Sequence, residues 1–326
     1  MNYNSLLGSK LAKYFNKKYG IITYSGTLAI EVALKSLRLK RKSKVLISSN
    51  VCYSIINTVL KLGLVPVIKT PNNGLFFTND DIDVVIDKEI IDCILLVHQF
   101  GILNNISKRK YKKLNIKIIE DVAQAWDLKD NNGINNIGID SDIVVTSFGS
   151  TKPISYGIGG GLFFDNEKII KEIDFCDNES REKQGIILSY AYPLCKEVKL
   201  DYLLEKANEI VDEQRLCARE YSNVLLNQKT IKYINYEQNS GNVWHRFPMW
   251  IENQKTFEKI KKILEKSTLE FQFEHDVKLT DLPMCQKCIK YNENTHYYFI
   301  LVRTRNVNIE NQVKNLKKLI DLLKND

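Results

Sequence analysis

The chain has 326 residues, 44% of them hydrophobic, and a formal net charge of +8. That length suits two domains or one large α/β unit, and no apolar run reaches the roughly eighteen residues that would signal a membrane-spanning helix. The positive excess sits in lysine-rich stretches such as residues 35–44 and 255–266, read as solvated helix faces that also draw an anionic substrate; no aromatic–basic alternation or nucleic-acid motif accompanies it, which argues against DNA or RNA binding.

Seven cysteines, an odd number scattered through apolar runs, suit reduced thiols. The N-terminus lacks a basic-then-apolar signal pattern, so the expected location is the cytoplasm. Cys285-Gln-Lys-Cys288 is a lone CxxC and reads as loop cysteines rather than a zinc site.

Strand and helix periodicities alternate over the first two hundred residues or so. Residues 20–23 read as a strand and residues 27–39 as a helix. A strand at 44–48 precedes a helix at 55–62 that stops at Gly63. Further strands are expected at 65–68, 83–86, 93–97, 116–119, 143–146 and 161–164. Many of them are solidly apolar rather than alternating, which predicts a largely parallel sheet covered by helices on both faces. From about residue 200 the pattern changes. A long helix or helix pair (201–226) is followed by strands at 247–251 and 297–302 and helices at 257–265 and 308–323. The expected organisation is therefore a large three-layer α/β/α domain over residues 1–200 and a smaller α+β domain over residues 201–326.

Chemistry gathers where these strands end, the place where open α/β sheets bind ligands. Ser25-Gly26-Thr27 opens a helix, and its free N–H groups and dipole suit a phosphate, although the same residues serve as an ordinary cap. Asp121 closes an apolar strand, with Gln124 three residues on; it can pair with a heterocyclic nitrogen or simply cap a helix. Ser147 precedes Lys152 by five residues and can donate to a phosphate. Lys152 stands at the mouth of the core, where desolvation lowers an amine's pKa and equips it to form a Schiff base. The glycine run 157–161 lets backbone approach a ligand or partner closely. Phosphate donors, a carboxylate and a lysine are what pyridoxal 5'-phosphate (PLP) requires.

The chain resembles the DegT/DnrJ/StrS family of PLP-dependent sugar aminotransferases, of fold type I. Five segments carry the likeness: Ser25-Gly26-Thr27; residues 45–49 continuing to Gly63; Val97-His98-Gln99-Phe100-Gly101; Ile119-Glu120-Asp121-Val122-Ala123-Gln124-Ala125; and Ser147 to Lys152 with Gly159-Gly160-Gly161 after it. Arg215 to Tyr221 resembles the helix that follows. The resemblance implies Lys152 as Schiff-base lysine and Asp121 as partner of the pyridinium nitrogen. It puts Gln124 at the phenolic oxygen and Gly26, Thr27 and Ser147 at the phosphate. The ring-stacking aromatic aligns near Cys52-Tyr53, and Tyr53 is taken for that role. The reaction implied is transfer of an amino group from glutamate or glutamine to a keto-sugar, nucleotide-linked, in surface-polysaccharide or secondary-metabolite biosynthesis, by a homodimer with sites at its interface. A sugar-dehydrating branch carries histidine in place of the lysine, and Lys152 argues against it. Two departures stand out. The chain starts late relative to the family, and residues 184–192 occupy the place of a Gly-x-Asn-Tyr-Arg-like element that reaches the neighbouring cofactor site. A non-catalytic homologue is therefore the alternative expectation.

Overall fold

The computed structural model describes residues 6–130, 132–169, 200–274, 282–291 and 297–324. Twelve strands form two sheets among these residues.

The larger sheet has eight strands in the order β1-β7-β6-β5-β4-β2-β3-β11. They are β1 (Tyr19–Thr23), β2 (Lys44–Ser48), β3 (Val65–Lys69), β4 (Cys93–Val97), β5 (Lys117–Asp121), β6 (Ile143–Ser147), β7 (Gly160–Phe164) and β11 (Ile289–Tyr291). β7 alone runs against its neighbours among the described strands, so β1 points the same way as β6 and the parallel remainder. The carboxyl ends of β1, β4, β5 and β6 therefore share one edge.

The strands are apolar throughout because both faces are covered. Val45, Ile47, Leu95, Ile119 and Val145 enter one core. Leu46, Ile94, Leu96 and Ile118, their neighbours in sequence, enter another, and Val144 and Phe163 a third. Successive side chains point to opposite faces of a strand, so a two-sided core demands an unbroken apolar run. Helix α1 (Leu6–Tyr14) packs on β1, and α2 (Gly26–Ser36) packs on β6 and β7 through Ala29, Ile30, Ala33 and Leu34. Helix α3 (Tyr53–Lys61) ends where expected: Gly63 adopts φ +70, and Leu64 N–H returns to Val59 O at 3.2 Å.

One expected strand is a helix. Residues 83–86 close α4 (Asn79–Ile86), not a strand. Thr78 and Asp81 form a reciprocal capping box, and Asp81, fully buried, also faces Lys69 Nζ at 3.3 Å. Those interactions fix the helix start, after which Ile82 and Val85 fall on one buried face while Val84 is exposed. A four-residue apolar run could not show this by itself.

The second sheet is antiparallel, in the order β10-β12-β9-β8, with β8 (Lys232–Tyr233), β9 (Phe247–Ile251), β10 (Phe271–Glu274) and β12 (Tyr298–Val302). Helices α6 (Leu200–Leu225), α7 (Gln254–Leu264) and α8 (Ile309–Lys324) cover it; α5 (Lys108–Lys113) belongs to the larger sheet. The long-helix alternative for 201–226 is the one observed. α6 serves both cores: Ala207 and Val211 pack with Trp126, while Cys217, Ala218 and Tyr221 pack under the small sheet. β11 crosses back from the second half to pair with β3. We propose the division at 200/201, where α6 begins, with β11 returning across it to the larger sheet.

Candidate active site

The first turn of α2 is built to approach β6 closely. Ser25 is extended (φ −155), and its Oγ accepts from Leu28 N at 3.1 Å, making it the cap. Gly26 and Thr27 thus occupy the first helical positions, whose N–H groups lack intrahelical acceptors. A Cβ placed on Gly26 would lie 2.8 Å from Ser147 Cβ, and one on Gly160 would lie 2.5 Å from Gly26 N. Ser25 also bridges Gly159. The glycine run therefore lets the 159–160 backbone pass against the helix start. These contacts set Ser147, at the end of β6, directly against Gly26 at the start of α2, with Thr27 exposed beside it in the same first turn.

Lys152 sits five residues beyond Ser147 in a loop pinned by Lys152 N–H to Gly149 O (2.9 Å) and Phe148 N–H to Gly159 O (2.9 Å). Burial pushes its ammonium below the ordinary lysine pKa; the charges of Asp121 and Cys52 work against that shift and that of Arg246 works with it. Asp121, 6% exposed, ends β5. Burial raises its carboxyl, partly offset by the Ala123 N–H on Oδ1 (2.9 Å) and by Lys152 and His98. Carboxylate and amine thus lie close enough for each to act on the other's ionisation.

Gln124 is partly buried, and its Oε1 accepts from Phe100 N at 2.8 Å, which ties the Asp121 turn to the His98–Gly101 turn after β4. His98 is 1% exposed; its Nδ1 accepts from Asn104 N at 3.1 Å, so its proton sits on Nε2, 3.5 Å from Glu120 Oε1. Glu120 is held further by Lys108 Nζ (2.7 Å) and Gly138 N (2.6 Å). Burial alone would raise its carboxyl, but Lys108 and His98 outweigh burial and hold it at about 2.

Of Cys52 and Tyr53, Cys52 is the one near enough to act on the Lys152 amine. Tyr53, the first residue of α3, is 60% exposed. Residues 184–192 lie outside the described residues.

The second half of the chain supplies a wall that the motifs did not name. Val243 N–H reaches Gly101 O at 2.8 Å, and a Cβ on Gly101 would touch Val243 Cβ and Gln124 O at 2.8 Å. Trp244, fully buried, takes the left-handed conformation (φ 60), an uncommon choice for a bulky residue. Thr304 Oγ1 donates to Trp244 O (2.7 Å), with His245 O also within 3.1 Å. Arg305 Nη1 donates to Lys152 O at 3.3 Å. His245 is 5% exposed and held well below its ordinary pKa by burial, then by Arg246, Lys152 and Arg305. The signal that could have found these residues is two cationic clusters at strand ends, Trp244-His245-Arg246 before β9 and Arg303-Thr304-Arg305 after β12.

A largely parallel sheet whose carboxyl edge carries a helix N-terminus packed on Ser147, a buried carboxylate and a desolvated lysine defines the class: a fold type I, PLP-dependent aminotransferase architecture. The profile of the DegT/DnrJ/EryC1/StrS aminotransferase family matches residues 2–299, and the chain belongs to that family. Its fold is shared with PseC of Helicobacter pylori, an aminotransferase involved in the biosynthesis of pseudoaminic acid (TM-score 0.78, 16% identity, 97% of this chain and 91% of that one). NtdA of Bacillus subtilis, solved with bound cofactor PMP, is similar too (TM-score 0.73, 21% identity, 97% and 76%). Among curated proteins, the chain is 25% identical over 293 residues to the 3-oxo-glucose-6-phosphate:glutamate aminotransferase of Bacillus subtilis, covering 85% of this chain and 63% of the relative. It is 24% identical to the GDP-perosamine synthase of Vibrio cholerae, covering 56% and 49%. The chain thus spans less than two thirds of the length of these two relatives. The residues present suit PLP chemically: the N–H groups that open α2 and the Ser147 hydroxyl would serve its phosphate, Asp121 its ring nitrogen and Lys152 its carbonyl carbon.

Proposed function

We propose that this chain is an aminotransferase that uses PLP to move an amino group from glutamate or glutamine to a phosphate-bearing keto-sugar, nucleotide-linked as in the perosamine synthases. The observation that carries it is the convergence of Lys152, Asp121 and the Gly26–Ser147 cradle on one edge of the sheet. The relatives support it, since one is a 3-oxo-glucose-6-phosphate:glutamate aminotransferase and the other a GDP-perosamine synthase.

When bound, PLP supplies an electron sink for charge on the substrate carbon. The chain's own residues do the rest. Asp121 would keep a proton on the ring nitrogen. Gln124 would serve the phenolic oxygen, Gly26, Thr27 and Ser147 would hold the phosphate, and Tyr53 would flank the ring. Lys152, with a fraction of its amine neutral, takes and returns a proton at the substrate carbon. We propose a homodimer as the working unit, to be checked by light scattering on the purified protein.

Reconstitution tests the reading. Protein mixed with PLP should turn yellow, and borohydride should fix the cofactor on Lys152, as peptide mass mapping would show. Colourless protein that never retains PLP overturns the proposal. Protein that binds PLP but yields no pyridoxamine phosphate with any amino donor is the non-catalytic homologue instead.

A further inference from the structure

Two arginines beside Lys152 have no part in the scheme above. Arg246 and Arg305 come from different strand ends, held together by Thr304, whose hydroxyl lies on the carbonyls of Trp244 and His245. Arg246 Nη1 donates only to the adjacent His245 O (2.9 Å) and Arg305 Nη1 to Lys152 O (3.3 Å), among the described residues. Arg305 Nε is buried with no partner, as is Nδ1 of His245 between them. Neither arginine has a carboxylate within ion-pair distance among the described residues, whereas Arg303, next to them, is matched by Glu270 at 2.7 Å. Arg246 and Arg305, with Lys152, bear on His245, and burial together with Arg303 and Arg305 depresses the Arg246 guanidinium.

Like charges crowded with unused buried donors are costly unless an anion completes them. A guanidinium fork suits a planar carboxylate or a phosphate. Both substrates of a transaminase must present their reacting carbon to the same lysine, so an anion site beside Lys152 serves whichever is bound. We propose that Arg246 and Arg305 form an oxyanion-binding pair that holds an anionic group of the substrate, either a carboxylate of the amino donor or a phosphate of the sugar acceptor. This rests on the PLP aminotransferase reading and adds the specificity determinant to it.

The test uses PLP-loaded protein, so that the cofactor fills its own phosphate cradle. Calorimetric titration with glutarate and, separately, with inorganic phosphate is compared for wild type, Arg246→Gln and Arg305→Gln. Affinity should fall about tenfold or more in each variant, while the yellow colour of bound PLP persists. Loss for glutarate alone assigns the pair to the donor, loss for phosphate alone to the acceptor, and loss for both to a shared site. Unchanged affinity for both anions in protein that still holds PLP overturns the pair and leaves the PLP reading intact. Should the glutamine variants fail to load, the wild type answers: phenylglyoxal modification of Arg246 and Arg305, mapped by mass, should slow several-fold with either anion, with Arg41 as the unprotected control. Equal modification rates with and without anion also overturn it.

Discussion

Gly26 and Ser147 touch across the start of α2: a methyl group on Gly26 would fall 2.8 Å from Ser147 Cβ and 3.2 Å from its Oγ. The obstruction is a Cβ close to backbone, not the free end of a long side chain, so the cradle itself must give way. Gly26→Ala should therefore keep the fold and lose PLP affinity by about tenfold or more, read by equilibrium dialysis of the cofactor. Ser147→Ala removes a hydroxyl without a clash and should cost less, roughly severalfold, in line with one hydrogen bond of about 1 kcal/mol. Equal losses would contradict the steric account.

Lys152→Ala should abolish borohydride-fixed cofactor and all transfer activity with the thermal midpoint nearly unchanged. In the cofactor-free wild type, the lowered pKa leaves more of this amine neutral than in surface lysines. Trinitrobenzenesulfonate should accordingly label Lys152 ahead of exposed lysines near pH 8. A labelling order that follows exposure alone would count against a desolvated nucleophile.

Asp121→Asn keeps the shape of the side chain and removes its charge. A hydrogen bond to a charged group contributes about 1.5–3 kcal/mol, so the rate should fall roughly tenfold to over a hundredfold. PLP should still bind, since the cradle and Lys152 remain. A variant with wild-type turnover would remove Asp121 from the ring nitrogen.

Glu120 gives a prediction in acid. Its folded pKa of about 2 lies below its ordinary value of 4.5. A depressed carboxyl adds stability above the unfolded value, and that stability is lost as pH falls from about 4.5 toward 2. The wild type should lose thermal stability steeply over that range. Glu120→Gln should start less stable by about 3 kcal/mol, because Lys108 is left without its partner. It should also show a shallower loss below pH 4.5 in the same scans. Parallel wild-type and variant curves would mean that the carboxylate is not held by Lys108 and His98.

The ring face separates Tyr53 from Cys52. Tyr53→Phe should retain PLP, and Tyr53→Ala should lose it several-fold in dialysis. If Tyr53→Ala retains the cofactor like wild type while Cys52→Ala does not, the contact belongs to Cys52, which lies near Lys152.

Much of this molecule was legible in the chain itself. Solidly apolar runs such as residues 93–97 and 143–146 carried the covered parallel sheet, because a strand buried on both faces has no polar positions to spare. Gly26, Asp121, Ser147 and Lys152 were readable because each sits a few residues past such a run. Residues 83–86 were misread as a strand because a short apolar run fits either period, and the deciding contact, Lys69 with Asp81, is tertiary. Arg246 and Arg305 lie 94 and 153 residues from Lys152, beyond the span of any local pattern. Only the folded chain, through Thr304 on the Trp244 and His245 carbonyls, sets them beside the lysine. Local hydrophobic rhythm thus determined the sheet, and the motifs at its strand ends the proposed cofactor residues, while the proposed anion pair exists only where two distant strand ends pack together.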